Sequence, residues 1–243
     1  MDTLISPAKD IPEAPAPQRG CRLLLLRPVP PADGREGPVS APAFPGLLPA
    51  TSVEVAYLAG APTSYTRQRD CARAAPLVVD RARRAEREGY DAVVVSCMLD
   101  PGVEAARRAV AIPVIGVAEA TIAIARLLGG RPSRFFTRDI PVERLGDDED
   151  ETARQLVAIG RSLVAGQGTD VLVPNCSRLS PLAPRLSTTI GVPVLPNEPV
   201  GLKVAELIAT LGLRRSRPWG DASLTQRLRR AASRLRWRMR LRR

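Results

Sequence analysis

Histidine is missing from all 243 residues. That removes a histidine general base, a histidine-containing nucleophilic triad and a histidine zinc ligand from consideration. Proton transfer near neutral pH must fall to cysteine, a carboxylate, or a perturbed lysine or tyrosine. Cysteine is also sparse: Cys21, Cys71, Cys97 and Cys176 are scattered, with no CxxC spacing, which argues against a clustered metal site and a dense disulfide scaffold. No apolar run approaches the 18 residues or so that a membrane-spanning helix needs. The opening MDTLISPAKD also lacks a basic start followed by an apolar stretch. The expectation is a cytoplasmic protein whose thiols stay reduced, with no disulfide between Cys97 and Cys176.

The net charge of +11 is unevenly placed. Twelve arginines and one acid, Asp221, lie between Arg214 and Arg243, so this tail carries the whole excess and the remaining residues balance. The body reads as an ordinary soluble unit. Five acids between Gly146 and Glu151 stand without a phosphate-binding loop. They read as the start of a surface helix carrying Leu156, Ile159 and Leu163, and not as a magnesium site.

What the chain does have is an internal repeat. GYDAVVVSC, Gly89 to Cys97, is written again as GTDVLVPNC, Gly168 to Cys176, and each copy is followed by a Pro-Val pair, in AIPVIG and GVPVLP. Each half reads as a parallel βαβ unit, because the apolar run Ala92 to Val95 is continuous, as in a strand covered on both faces. Ligands in such sheets sit beyond the carboxyl ends of the strands, where both cysteines stand. A cysteine there can equally be a small buried hydrophobe. Its recurrence at matching positions favours two lobes facing a cleft, with one thiol on each wall.

In chain order, residues 1–20 hold four prolines and read as an extended or disordered arm. CRLLLLRPVP is the first core strand. A Gly/Pro-rich loop to about Pro49 leads into a second, Ser52 to Gly60, and Ser64, Tyr65 and Thr66 can line the cleft mouth or form a solvated turn. A helix covers about Asp70 to Glu88, with Cys71 near its start. Pro101 suits the first turn of a helix over about Val103 to Val110, and Asp100 can cap that helix or accept loop amides. Cys97 then lies just before a helix amino terminus, where free amides favour a thiolate. Ile112 to Val117 is a strand, followed by a helix to Gly129. Phe135 and Phe136 can form a short strand, VPVLP resumes the sheet, and Gly201 to Leu213 is the last helix of the body.

The residues VVVSCMLDPG, IPVIGVAEA, and VLVPNC followed by GVPVLPNEPVGLKVAELIATLGL resemble the aspartate/glutamate/hydantoin racemase superfamily, nearest its hydantoin and allantoin racemase branch. The likeness spans roughly residues 52–213. It implies an α/β fold of two pseudo-symmetric Rossmann-like lobes with parallel sheets and the active cleft between them. Lobe one would be 21–115 plus 199–213, lobe two 116–198, and 214–243 a basic helical extension. It also implies racemisation or epimerisation of a hydantoin-, allantoin- or amino-acid-like carbon acid without a cofactor, with Cys97 and Cys176 as the acid/base pair. The flanking Met98, Leu99, Asp100, Asn175, Ser177 and Arg178, with Thr137 and Ser64, are the expected substrate contacts. Where family members carry an Asn-Pro-Asn-Thr type loop after the first strand, Arg27-Pro28-Val29-Pro30 stands here. Decarboxylation or double-bond isomerisation through one cysteine, and a noncatalytic binding role, are the alternatives on the same scaffold.

The partners expected are a small-molecule substrate and further copies of the chain in a homo-oligomer. The tail adds a helix with Leu224, Leu228, Leu235 and Met239 on one line and arginines on much of the rest. That basic C-terminal helix suits docking on the body or a partner subunit, an anionic membrane surface, or a polyanion.

Overall fold

A computed structural model describes residues 20–31, 37–41, 44, 46–65, 67–129, 132–135 (backbone path) and 149–214. The expected amino-terminal arm, Thr66, Phe136, Thr137 and the tail beyond Arg214 lie outside the described residues.

The larger sheet has five strands: β1 (Arg22–Arg27), β2 (Val39–Ser40), β3 (Ser52–Tyr57), β4 (Ala92–Val95) and β5 (Val114–Gly116). Their spatial order is β2-β3-β1-β4-β5, and only β2 runs antiparallel to its neighbour. The four leucines of β1, Leu23 to Leu26, explain its place in the middle. Successive side chains on a strand point to opposite faces, so Leu23 and Leu25 enter one core while Leu24 and Leu26 enter another. A strand apolar on both faces has to be covered on both. Helices α1 (Gln68–Arg87) and α2 (Val103–Ala109) cover one face through Val78, Ala82 and Ala106. The other face packs against α3 (Val117–Leu127) and α6 (Asn197–Thr210) through Val117, Leu202 and Ala205.

The second sheet pairs β6 (Pro132–Phe135) with β7 (Val171–Pro174) in parallel, and a bridge from Leu172 to Val194 extends it. Helix α4 (Glu149–Gln167), a 3-10 helix (Ser177–Leu182) and α5 (Ala183–Ile190) close over it around Leu156, Leu172, Leu179 and Leu186. Val171 and Val173 belong to the same core as Leu23 and Leu25, so the two sheets share buried surface. The expected strand at VPVLP is reduced to the single bridge at Val194.

The chain leaves β1 toward β3 on one side and later reaches β4 and β5 on the other. The reversal places a topological switch point between β1 and β4, where open α/β sheets form a crevice beyond the strand ends. Arg27, Ser96 and Cys97 stand at that edge.

Candidate functional site

Cys97 begins a tight turn at the end of β4. The Cys97 amide donates to the Val95 carbonyl at 3.1 Å, and the Asp100 amide donates back to the Cys97 carbonyl at 2.9 Å. Asp100 is the one described non-glycine residue with positive φ, at 46°. A short polar side chain tolerates that conformation because it can bond locally. Its carboxylate does so across 18 residues, accepting from the Ala118 amide at 3.0 Å and the Glu119 amide at 2.9 Å. Asp100 therefore caps α3 and fastens the Cys97 turn to the β5–α3 junction.

The two parts of the sequence signature are thus in physical contact. A Cβ on Gly116 would lie 2.3 Å from Asp100 Cγ, so the glycine of IPVIG is required by the aspartate of CMLDPG. Gly102 is constrained twice over, with φ +72° and a Cβ position 2.9 Å from Ala75 Cα on α1.

The structure differs from expectation on what surrounds the Cys97 thiol. Helix α2 starts only at Val103, with Gly102 as its cap, so a turn separates the thiol from the helix end. Burial pushes the Cys97 thiol up to about 12 from an ordinary 9.0, and the Leu99 amide facing the sulphur offsets only part of this. Cys71, Asp100 and Cys176 add to the rise through their negative charge. Cys97 and Cys176 are accordingly within electrostatic reach of each other.

Cys176 occupies the matching position after β7. Its thiol is also raised, first by burial and further by Glu198, against the Arg178 amide and guanidinium, which pull it down. The two sulphurs are equivalent in design, each partly buried and each facing one amide two residues ahead. Tyr65 joins the same neighbourhood: its phenol donates to the Pro28 carbonyl, and burial together with Cys97 and Cys71 raises its pKa.

Behind the thiols runs a polar network. Glu198, 7% exposed, accepts from Ser96 Oγ at 2.6 Å and from Arg27 Nε and Nη2, each at 3.1 Å. Arg27 Nη1 donates to Tyr57 Oη at 3.1 Å. Asn197, wholly buried, donates its side-chain amide to the Pro174 carbonyl at 2.9 Å and the Cys176 carbonyl at 3.5 Å. Four buried side-chain polar atoms have no partner among the described residues: Arg81 Nη1 on α1, and Asn175 Oδ1, Ser177 Oγ and Asn197 Oδ1. An unpaired buried polar group costs on the order of 1–3 kcal/mol. Three of them around Cys176 mark a place that a ligand donor can satisfy.

The expected contacts divide by surroundings. Asn175 and Ser177 flank Cys176 with unpaired polar atoms. Leu99 is exposed beside Cys97, and Arg178 is exposed beside Cys176. Met98 packs in the core, Asp100 commits its carboxylate to α3, and Ser64 is partly buried next to Tyr65. Thr137 lies outside the described residues. Sequence reasoning did not single out Ser96, Asn197 or Glu198, and treated Arg27 only as a departure. The available signal was an acid and an amide, Asn197-Glu198, directly after an apolar strand run. No group of three or more potential metal ligands occurs among the described residues.

Residues 42–136 match the family model for Asp/Glu/Hydantoin racemase, a span that contains Cys97. That part of the chain is similar to the Asp/Glu/Hydantoin racemase domain. The chain is 28% identical over 188 residues to a hydantoin racemase of Rhizobium meliloti, covering 67% of this chain and 78% of the relative. Among solved structures, the fold aligns with allantoin racemase from Klebsiella pneumoniae at a TM-score of 0.66 and 22% identity, covering 81% of this chain and 91% of the other. Arylmalonate decarboxylase aligns at a TM-score of 0.53 and 20% identity, covering 77% and 92%. Those two structural likenesses speak to the fold.

Proposed function

We propose that the protein is a cofactor-independent racemase or epimerase of a carbon acid bearing amide or ureide N–H groups, with Cys97 and Cys176 as its two proton-transfer groups. The observation that carries this is the pairing itself. Two partly buried thiols follow corresponding strands of a repeat, each receives one backbone amide, and Cys97 lies in the field of Cys176.

In one direction the Cys97 thiolate takes the proton from the stereocentre, forming S–H as the C–H bond breaks and its electron pair moves into the adjacent carbonyl. The Cys176 thiol then delivers its proton to the opposite face and becomes the thiolate. The reverse direction exchanges the roles, which is why two groups of one chemical type suffice. A raised thiol pKa gives a rarer but more basic thiolate, suited to a weakly acidic C–H. The Leu99 and Arg178 amides favour the charged sulphur when it forms. Substrate N–H groups would meet Asn175 Oδ1 and Ser177 Oγ, which have no partner among the described residues. This favours hydantoin-like or allantoin-like compounds over a carboxylate, which brings only acceptors.

Chiral chromatography tests the reading. Single enantiomers of 5-substituted hydantoins, allantoin and amino acids are incubated with the protein and with Cys97→Ser and Cys176→Ser. Racemisation of a ureide by the natural chain, lost by about 10²–10⁴-fold in each variant, is expected. Turnover unaffected by either serine would overturn it.

A further inference from the structure

Two consecutive residues, Asn197 and Glu198, touch both thiol loops. They open α6, whose first turn reaches the carboxyl edge of the large sheet and the segment after β7 together. On the large-sheet side, Glu198 accepts from Ser96, the residue before Cys97, and from Arg27 at the end of β1. Arg27 in turn reaches Tyr57 at the end of β3. The ends of three neighbouring strands, β3, β1 and β4, are thereby tied to one carboxylate. On the other side, the Glu198 amide donates to Ser180 Oγ at 3.2 Å, three residues beyond Ser177 in the 3-10 helix that follows Cys176. The Asn197 side chain holds the carbonyls of Pro174 and Cys176.

We propose that Asn197 and Glu198 are positioning residues that fix the spacing of the two thiols, Glu198 by gripping Ser96 and Arg27 and Asn197 by gripping the Cys176 backbone. Neither needs to touch substrate. A carboxylate is buried here at a cost that only good partners offset, and Arg27 with Ser96 supplies them. Asn197 is wholly buried, with its amide nitrogen facing two carbonyls, so it tolerates little movement. Opposed proton transfer needs both sulphurs near one carbon at once, and a displacement of about 1 Å can cost about 10²-fold in rate. The catalytic consequence rests on the racemase reading; the consequence for the thiols does not.

Two readouts on the full chain test this. The first is steady-state racemisation of whichever ureide the natural protein turns over, measured with Glu198→Gln, Ser96→Ala and Asn197→Ala. Positioning predicts a fall in kcat of about 10- to 100-fold with KM changed by less than about threefold, and a smaller loss for Ser96→Ala, which removes one bond of the network. The second is iodoacetamide alkylation of each cysteine against pH, followed by mass spectrometry, and it needs no substrate. The charged groups that act on Cys176 are Arg178 on its own loop and Glu198 on α6, and Cys97 is within electrostatic reach of it. Glu198 raises the Cys176 thiol and is not among the largest influences on Cys97, so Glu198→Gln should move the Cys176 midpoint to lower pH and move Cys97 much less.

General loosening would instead lower both midpoints, because burial is the largest cause of both elevations. Equal movement of both midpoints, no movement, or a defect confined to KM would overturn the proposal. If no ureide is turned over by the natural chain, the racemase reading fails while the alkylation profile still decides whether Glu198 acts chiefly on Cys176.

Discussion

The carboxylate of Asp100 fills the space that a side chain on Gly116 would need, with Asp100 Cγ 2.3 Å from that Cβ position. The turn that presents Cys97 and the start of α3 are therefore one unit, joined by the bonds from the Ala118 and Glu119 amides. Gly116→Ala should displace the aspartate and destabilise the fold by about 2 kcal/mol, in the range of losing hydrogen bonds to a charged group. Asp100→Asn should lose less than Asp100→Ala, since asparagine tolerates the positive φ and keeps one acceptor. Urea unfolding midpoints of the three variants check the order.

Both thiols are raised, Cys97 to about 12, mainly by burial. A group whose pKa is higher folded than unfolded lends stability that is complete below its unfolded value and is lost as pH rises through the folded value. For Cys97 that window runs from about 9 to about 12. Stability should decline across it, and the decline should be shallower in Cys97→Ser. Thermal unfolding followed from pH 8 upward tests the sign; a steeper decline in the variant would contradict it.

Much of the frame was legible because it follows from one-dimensional patterns. Leu23 to Leu26 and Ala92 to Val95 are continuous apolar runs and became fully covered parallel strands. The repeat placed two cysteines at two strand ends, where the structure has them. The last helix was read as starting at Gly201, yet it starts at Asn197. Pro199 lies in the first turn of that helix, where its missing N–H would have had no intrahelical partner. Those four residues carry Asn197 and Glu198, so the misplaced boundary also hid the polar network.

Other features escaped because their causes are distant in sequence. Arg27 and Glu198 are 171 residues apart, and nothing in the local pattern of either announces the other. Proximity to a helix start implied a thiolate at Cys97. Burial dominates instead, and burial is set by packing from several elements.

Leu127, Leu128, Leu207, Leu211 and Leu213 are all more than half exposed at the far ends of α3 and α6, near where the arginine-rich tail departs. Helices α3 and α6 touch near their starts, where a Gly201 Cβ would meet Val117 Cγ1 at 2.9 Å. This apolar end is remote from the thiols. A chain ending at Leu213 should keep any ureide turnover of the full chain and lose any salt-sensitive binding to heparin or nucleic acid. Retention on a heparin column at low salt, equal to that of the full chain, would count against the basic tail as the binding element.

The most direct test of the two-thiol account is solvent deuterium entry into each enantiomer of a substrate ureide in D2O, measured by proton NMR for Cys97→Ser and Cys176→Ser. Each thiol serves one face, so each variant should lose racemisation but retain exchange in a single enantiomer, and the two variants should retain opposite enantiomers. Exchange of the same enantiomer by both variants, or full racemisation by the double serine variant, would contradict it.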